Sequence, residues 1–283
     1  MRRLGVLVAL AVTLATPARA EQTLSFPSFD AGITLTSHWF PVGSATSGAV
    51  VLLHGCNGIS GPRGGVSQRL REYAALVNRA GLHALVVDSF GPRGETEICT
   101  QRFGSRKVTQ RNRRADALAA LDFLAARSDV DPARLGLLGW SNGGSTVLAA
   151  TNLRDADVAA SSAKPAFAIT FYPGCKADLR RGYVASTRLL MLVGAADDWT
   201  AAAPCEELAR RAEGIAPQIE TYAGAYHGFD TDVPLRLLRN VPGGVHPGQG
   251  VHLGGDADAL RRSRERMLGF IAAASTHPAG RSP

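Results

Sequence analysis

Ser141 stands in a G-x-S-x-G pattern, Gly139-Trp140-Ser141-Asn142-Gly143, at the end of an apolar run. A buried strand that turns sharply into a helix can lift a serine hydroxyl clear of a sheet, provided that the residues two before and two after it are small. The N-terminus of the following helix then favours negative charge beside that hydroxyl. The pattern predicts a nucleophilic serine, and the alternative is a serine in an ordinary glycine-rich turn.

A serine hydroxyl needs a general base, and the base needs a carboxylate that orients it. Asp197 follows the apolar run 189–193, and His227 follows the run 219–222. The chain order serine, acid, histidine is that of the α/β-hydrolases. We predict His227 as the base and favour Asp197 as the acid, although Asp198 is adjacent and remains an alternative.

Acyl transfer also needs two backbone N–H groups that receive the negative charge developing on the substrate oxygen. Asn142, the residue after the nucleophile, is predicted to supply one. The loop His54-Gly55-Cys56-Asn57-Gly58 supplies the other, and by position we favour the amide of Cys56. The alternative is a plain glycine-rich turn; the loop has no phosphate-binding glycine pattern, which argues against a nucleotide.

The elements that must position these residues alternate along the chain. Continuous apolar runs predict buried strands, and stretches with helical periodicity lie between them, which is typical of a parallel sheet covered by helices on both faces. The predicted strands are 49–53, 83–87, 135–139, 166–172, 189–193 and 219–222, and the predicted helices are 67–80, 110–127, 142–151, 205–213 and 256–274.

The remaining segments complete a single α/β domain over residues 21–283. The alternating stretches "TLSFPS" and "ITLTSHWF" predict two antiparallel edge strands that are joined by a turn at 30–32. The segment 230–255 is rich in proline and glycine, and it is predicted to be an irregular surface loop before the last helix. The tail "HPAGRSP" is predicted to fray.

The first 20 residues, "MRRLGVLVALAVTLATPARA", have the pattern of a secretory signal peptide with cleavage after Ala20. Their apolar run is shorter than the about 20 residues that a membrane span needs, and no later segment is long enough. The formal net charge is +7. The arginine-rich stretch 102–114 has few aromatic residues between its charges, so a solvated face is favoured over nucleic-acid binding.

The four cysteines are Cys56, Cys99, Cys175 and Cys205. An even number behind a secretory signal predicts disulfides in an oxidising compartment, with three connectivities open, and the alternative is free buried thiols. No CxxC spacing indicates zinc. His246 and His252 lack carboxylate or cysteine partners at ligand spacing, so we expect neither a metal nor an organic cofactor.

The chain resembles the dienelactone hydrolase family of α/β-hydrolases over nearly all of the predicted mature chain. The resemblance rests on "VVLLHGCNG", "VVDSFGPRG", "GLLGWSNGG", "FYPGC", "VGAADDWT" followed by "PCEEL", and "YHGFD". It implies a triad of Ser141, His227 and Asp197 with oxyanion amides from Cys56 and Asn142. It also implies that Arg93 could meet a substrate carboxylate, for which a surface ion pair is the alternative.

Two departures from the family bear on function. The founding members carry cysteine as nucleophile and are cytosolic, whereas this chain has Ser141 and a signal-like start. In the resembling fold, the four cysteines follow neighbouring strands, and we expect the pairs Cys56–Cys99 and Cys175–Cys205. Aromatic residues near the predicted site either line an apolar pocket or belong to the core; they are Phe90, Trp140, Trp199 and Phe229.

The sequence therefore predicts a periplasmic or secreted serine hydrolase that cleaves small carboxylic esters or lactones through an acyl-enzyme. A peptidase or an acyltransferase with the same triad is an alternative, and a binding protein with a vestigial site is another. The acyl and alcohol specificity and the oligomeric state are left open by the sequence.

Overall fold

The computed structural model describes residues 20–43, 46–61 and 64–276. The predicted signal peptide, apart from Ala20, lies outside the described residues, and so does the tail from His277. The signal peptide and the extent of the domain therefore stay predictions. No helix in these three ranges is long and apolar enough to cross a bilayer.

The described residues form twelve strands and seven α-helices. The strands are β1 (Gln22–Pro27), β2 (Thr34–Phe40), β3 (Ser47–Leu53), β4 (His83–Asp88), β5 (Val130–Trp140), β6 (Phe167–Phe171), β7 (Val184–Ala185), β8 (Arg188–Gly194), β9 (Glu213–Gly214), β10 (Gln218–Tyr222), β11 (Arg236–Leu238) and β12 (Val251–Leu253). The helices are α1 (Gln68–Arg79), α2 (Gln110–Ala125), α3 (Asn142–Thr151), α4 (Ala156–Ala160), α5 (Lys176–Arg181), α6 (Ala203–Arg211) and α7 (Ala257–Thr276).

Eight strands form one sheet in the order β1-β2-β4-β3-β5-β6-β8-β10. The first two strands pair antiparallel, β2 pairs antiparallel with β4, and the remaining pairs are parallel. Successive side chains of a strand point to opposite faces. Val51 and Leu53 accordingly belong to the core cluster that includes residues of α2 and α3, whereas Val50 and Leu52 belong to the cluster that includes residues of α1 and α7.

This architecture confirms the predicted α/β fold with a mostly parallel sheet and helices on both faces. All six predicted inner strands and all five predicted helices are present, and the antiparallel edge pair is β1 and β2. The prediction of an irregular loop over 230–255 is only partly right, because β11 and β12 form a short antiparallel pair within it. Helices α4 and α5 were not predicted, since five or six residues are too few to give a helical period.

The sheet brings the candidate functional residues to one edge. Strands β5, β8 and β10 run parallel, so their carboxyl ends lie on the same side of the sheet. Ser141 directly follows β5, Asp197 lies in the loop after β8, and His227 lies in the loop after β10. In open parallel sheets this edge is where ligands bind.

Two disulfides are present, Cys56–Cys99 and Cys175–Cys205, as expected from the sequence. The first joins the loop after β3 to the loop that follows β4, and the second joins the residue before α5 to α6. Both bridges therefore tie together segments at the edge of the sheet that carries Ser141.

We expect the double variant Cys175→Ser/Cys205→Ser to lose about 3–4 kcal/mol of unfolding free energy, because the bridge removes loop entropy from the unfolded chain. Urea unfolding of the oxidised proteins measures the difference. Dithiothreitol should lower the midpoint of the wild type further than that of the variant, which has only Cys56–Cys99 left to reduce. An unchanged midpoint in the oxidised variant would contradict the prediction.

Candidate active site

Ser141 occupies a strained turn between β5 and α3. Its backbone angles are φ 52° and ψ −115°, in a region that residues other than glycine rarely adopt and that costs on the order of 1–3 kcal/mol. A Cβ on Gly139 would clash with the carbonyl of Gly143, and a Cβ on Gly143 would clash with the carbonyl of Leu53. The glycines of the motif are therefore required by close backbone approach, as the pattern predicts.

His227 lies between Ser141 and Asp197. Its Nε2 is 2.9 Å from the Ser141 Oγ, and its Nδ1 is 2.8 Å from the Asp197 Oδ2. The His227 and Asp197 side chains are 3% and 0% exposed, so water does not compete for their hydrogen bond. With Nδ1–H donating to the carboxylate, the Nε2 lone pair faces the serine hydroxyl, which is the arrangement that a general base requires.

The Asp197 carboxylate is held by the loop that carries it. Its Oδ1 accepts hydrogen bonds from the backbone N–H groups of Trp199 and Thr200, both at 2.8 Å. The Thr200 hydroxyl lies 3.0 Å from Oδ2 and 3.1 Å from the His227 Nδ1. Sequence reasoning missed Thr200; its position three residues after the candidate acid was the available signal.

Asp198 points away from His227 and pairs with His252 instead. Its Oδ2 is 2.7 Å from the His252 Nδ1, and its Oδ1 accepts the His252 backbone N–H at 2.8 Å. The geometry therefore favours Asp197 over Asp198 as the acid. Over residues 20–43, 46–61 and 64–276, no group of three or more His, Cys, Asp or Glu is placed to hold a metal ion.

The two candidate oxyanion amides lie on either side of Ser141. Asn142 opens α3, and Cys56 lies in the loop after β3; a Cβ on Gly55 would lie 3.8 Å from the Ser141 Cβ. Neither the Cys56 nor the Asn142 backbone N–H donates to a protein acceptor in the described part of the chain. Both amides are thus available to a substrate oxygen.

A cavity of about 840 Å³ opens over these groups. Ser141, His227 and Cys56 line it, together with Trp140 and Trp199. The segment before α7 forms part of its wall, through residues between Thr231 and Val241 and through Leu253. Of the four aromatic residues considered from the sequence, Trp140 and Trp199 line the cavity. Phe90 and Phe229 do not line it and are buried in core clusters.

Asp230 organises the floor of the cavity. Its carboxylate is fully buried and accepts hydrogen bonds from the Tyr73 and Tyr172 hydroxyls, both at 2.6 Å, and from the Trp140 Nε1 at 3.0 Å. Arg69 forms an ion pair with it at 2.7 Å. Burial raises the pKa of both tyrosines well above the usual value, so their hydroxyls stay donors. This cluster fixes the Trp140 indole beside the candidate nucleophile.

Arg93 does not line the cavity. Its side chain is 7% exposed, and its guanidinium pairs with Asp30 at 2.7 Å and Asp116 at 2.8 Å while donating to the Ser89 carbonyl at 2.7 Å. With these donors engaged, the ion-pair alternative accounts for Arg93 better than contact with a substrate carboxylate does. The pair with Asp116 is buried, whereas the Asp30 side chain is 31% exposed.

Comparisons with known proteins agree with this fold. The chain aligns with a dienelactone hydrolase-like promiscuous phosphotriesterase from metagenomic libraries at a TM-score of 0.63 and 22% identity, over 91% of this chain and 99% of that one. A dienelactone hydrolase from Anabaena variabilis aligns at a TM-score of 0.61 and 16% identity, over 90% and 97%. An esterase from Thermogutta terrifontis, propionate bound, aligns at 0.60 and 16%, over 92% and 96%.

An uncharacterized protein of Mycobacterium tuberculosis is 36% identical over 112 residues, which is 40% of this chain. The match spans about a third of that relative's length, 34%. The sequence model of the dienelactone hydrolase family matches residues 38–275, which include every candidate residue described above. The chain therefore belongs to the dienelactone hydrolase family, within the α/β-hydrolase superfamily.

Proposed function

We propose that the protein is a serine hydrolase that cleaves carboxylic esters or lactones through an acyl-enzyme. The observation that carries this proposal is the continuous set of contacts from Asp197 through His227 to Ser141, at the floor of an open cavity. A strained serine, a buried base and an oriented carboxylate together form the arrangement that makes a hydroxyl nucleophilic.

In the proposed reaction, the Ser141 Oγ attacks the ester carbonyl carbon while its proton passes to the His227 Nε2. The oxyanion is received by the backbone N–H groups of Cys56 and Asn142. The bond to the alcohol oxygen breaks, and His227 returns the proton to that oxygen. Water, deprotonated by His227, then attacks the acyl-serine; the carboxylic acid leaves, and Ser141 regains its proton.

We also propose a periplasmic or secreted location. Two disulfides, one of them next to a candidate oxyanion amide, are consistent with an oxidising compartment. A reduced cytosol would leave the Cys56 loop without its bridge to Cys99.

The proposal is tested with the purified protein on p-nitrophenyl esters of increasing acyl length, simple lactones and p-nitroanilides. We expect a burst of p-nitrophenol equal to the enzyme concentration, slow or absent anilide cleavage, and stoichiometric fluorophosphonate labelling of the peptide that contains Ser141. Added alcohols acting as efficient acyl acceptors would indicate an acyltransferase. Absence of both turnover and labelling would favour the binding protein and overturn the proposal.

A further inference from the structure

Among the described residues, Arg113 is a buried cation without a carboxylate partner. Its side chain lies on α2 with no solvent exposure and forms no ion pair with an Asp or Glu of the described residues; Asp116 and Asp88 act on it only through longer-range charge interactions. Burial lowers the pKa of Arg113 to about 10, so that it still carries its charge at neutral pH. Burying a charge that contacts no carboxylate is unfavourable, so packing alone does not account for an arginine at this position.

The hydrogen-bond partners of Arg113 are two neutral oxygens, one on each side of Ser141. Its Nη2 donates to the carbonyl oxygen of His54 at 2.8 Å, and its Nη1 donates to the side-chain Oδ1 of Asn142 at 2.5 Å. The first partner lies two residues before Cys56, and the second belongs to the other candidate oxyanion residue. One guanidinium therefore joins the loop after β3 to the start of α3, which supply the candidate amides.

His54 extends this connection to the Cys56 amide. The His54 Nε2 is 3.3 Å from the Ser89 backbone N–H, which can only donate, so the histidine proton belongs on Nδ1, which is 2.8 Å from the Gly55 carbonyl. Burial and the nearby charge of Arg113 hold the pKa of His54 well below its usual value, which preserves this neutral form. Because a peptide unit is planar and trans, fixing the Gly55 carbonyl also fixes the opposite direction of the Cys56 N–H.

Asn142 is fixed in a similar way from the start of α2. Its backbone carbonyl accepts from the Gln110 Nε2 at 3.1 Å, while Arg113 holds its side chain. Gln110 in turn accepts the Thr146 hydroxyl at 2.8 Å. The first turn of α3, which presents the Asn142 N–H, is thus tied to α2 by two side chains one turn apart.

We propose that Arg113 is a positioning residue for the oxyanion hole: through His54 and Asn142 it holds the Cys56 and Asn142 amides in the geometry that receives the oxyanion. This inference rests on the proposed function. The positive charge of Arg113 also favours the negative charge that develops on the substrate oxygen, because charge interactions are weakly screened in the protein interior.

The test compares Arg113→Met, Arg113→Lys and the control Arg114→Met. Arg114 is the next residue of the same helix and pairs with Asp155 and Asp157 away from the site. We expect Arg113→Met to lower kcat about 100-fold with KM changed less than about threefold, because losing one oxyanion donor costs on the order of 10²–10³ in rate. Affinity for a trifluoromethyl ketone, which forms a tetrahedral adduct, should fall in parallel.

Arg113→Lys keeps the charge, but an ammonium group cannot hold both oxygens as a planar guanidinium does. We therefore expect its kcat to be about tenfold below that of the wild type and about tenfold above that of Arg113→Met. Rates are referred to active sites titrated with fluorophosphonate, which separates misfolding from mispositioning. If Arg113→Met does not fold, the tenfold loss in Arg113→Lys decides alone. If a folded Arg113 variant has the kcat and the adduct affinity of the wild type, the inference is wrong. If the wild type itself is inactive, the proposed function is wrong instead.

Discussion

Ser141→Ala is expected to lower kcat for carboxylic esters by about 10⁵–10⁶, to the level left by binding and the oxyanion amides alone. The substitution removes only the Oγ, which in the wild type is 2.9 Å from the His227 Nε2. Alanine keeps the backbone of the turn, so thermal unfolding should stay close to that of the wild type. Steady-state kinetics with p-nitrophenyl esters and covalent labelling measure the effect, and labelling by fluorophosphonate should be lost entirely.

The matched control is Ser145→Ala, one helical turn further along α3. The Ser145 hydroxyl accepts the Gly174 N–H at 2.8 Å and donates to the Ser141 backbone carbonyl at 3.2 Å, and Ser145 does not line the cavity. We expect a cost of about 1–2 kcal/mol in stability for the lost hydrogen bonds and activity within about threefold of the wild type. A Ser141→Ala protein that still forms a covalent fluorophosphonate adduct would show that another side chain is the nucleophile.

The parts of the fold predicted from the sequence are those with a local signal. Inner strands are continuous apolar runs, because both of their faces are buried, and the five predicted helices occupy the longer stretches between and after these runs. The candidate triad is predicted from the same strands, because the G-x-S-x-G motif follows one of them, and Asp197 and His227 follow two later ones. Strands β7, β9, β11 and β12 contain two or three residues, too few to show a period.

The buried charge clusters could not be read from the sequence because their partners are far apart along the chain. Asp230 is separated by 161 residues from Arg69 and by 157 from Tyr73, and nothing near any of the three marks the pairing. Arg93 lies in the loop after β4, and Arg113 lies in the arginine-rich stretch 102–114. Only the fold decides that Arg93 meets two carboxylates, whereas Arg113 meets the His54 carbonyl and the Asn142 side chain.

The choice between Asp197 and Asp198 as the acid depends on the structure of the turn that carries both residues. Asp197 and Asp198 follow the same strand, and the turn directs one carboxylate to His227 and the other to His252. The backbone N–H groups of Trp199 and Thr200 orient Asp197, because they donate to its Oδ1 and leave its Oδ2 facing the His227 imidazole. This asymmetry makes the two residues a natural pair for substitution.

Asp197→Asn is expected to lower kcat about 10⁴-fold with little change in the fold. The backbone N–H groups of Trp199 and Thr200 can only donate, so they hold the oxygen of the introduced carboxamide where the Asp197 Oδ1 lies in the wild type. The amide NH2 then faces the His227 Nδ1, which must become an acceptor. His227 would carry its proton on Nε2, towards Ser141, and could no longer accept the serine proton.

Asp198→Asn is the isosteric control, and it alters only the contact to His252, whose side chain is 39% exposed. An ion pair or hydrogen bond at that exposure contributes about 1 kcal/mol or less, so we expect kcat within about tenfold of the wild type. Initial rates and the second-order rate of fluorophosphonate labelling should fall together in Asp197→Asn and barely change in Asp198→Asn. Equal losses in the two variants would contradict the assignment of Asp197, because they would place the two carboxylates in one shared role that their opposite directions do not permit.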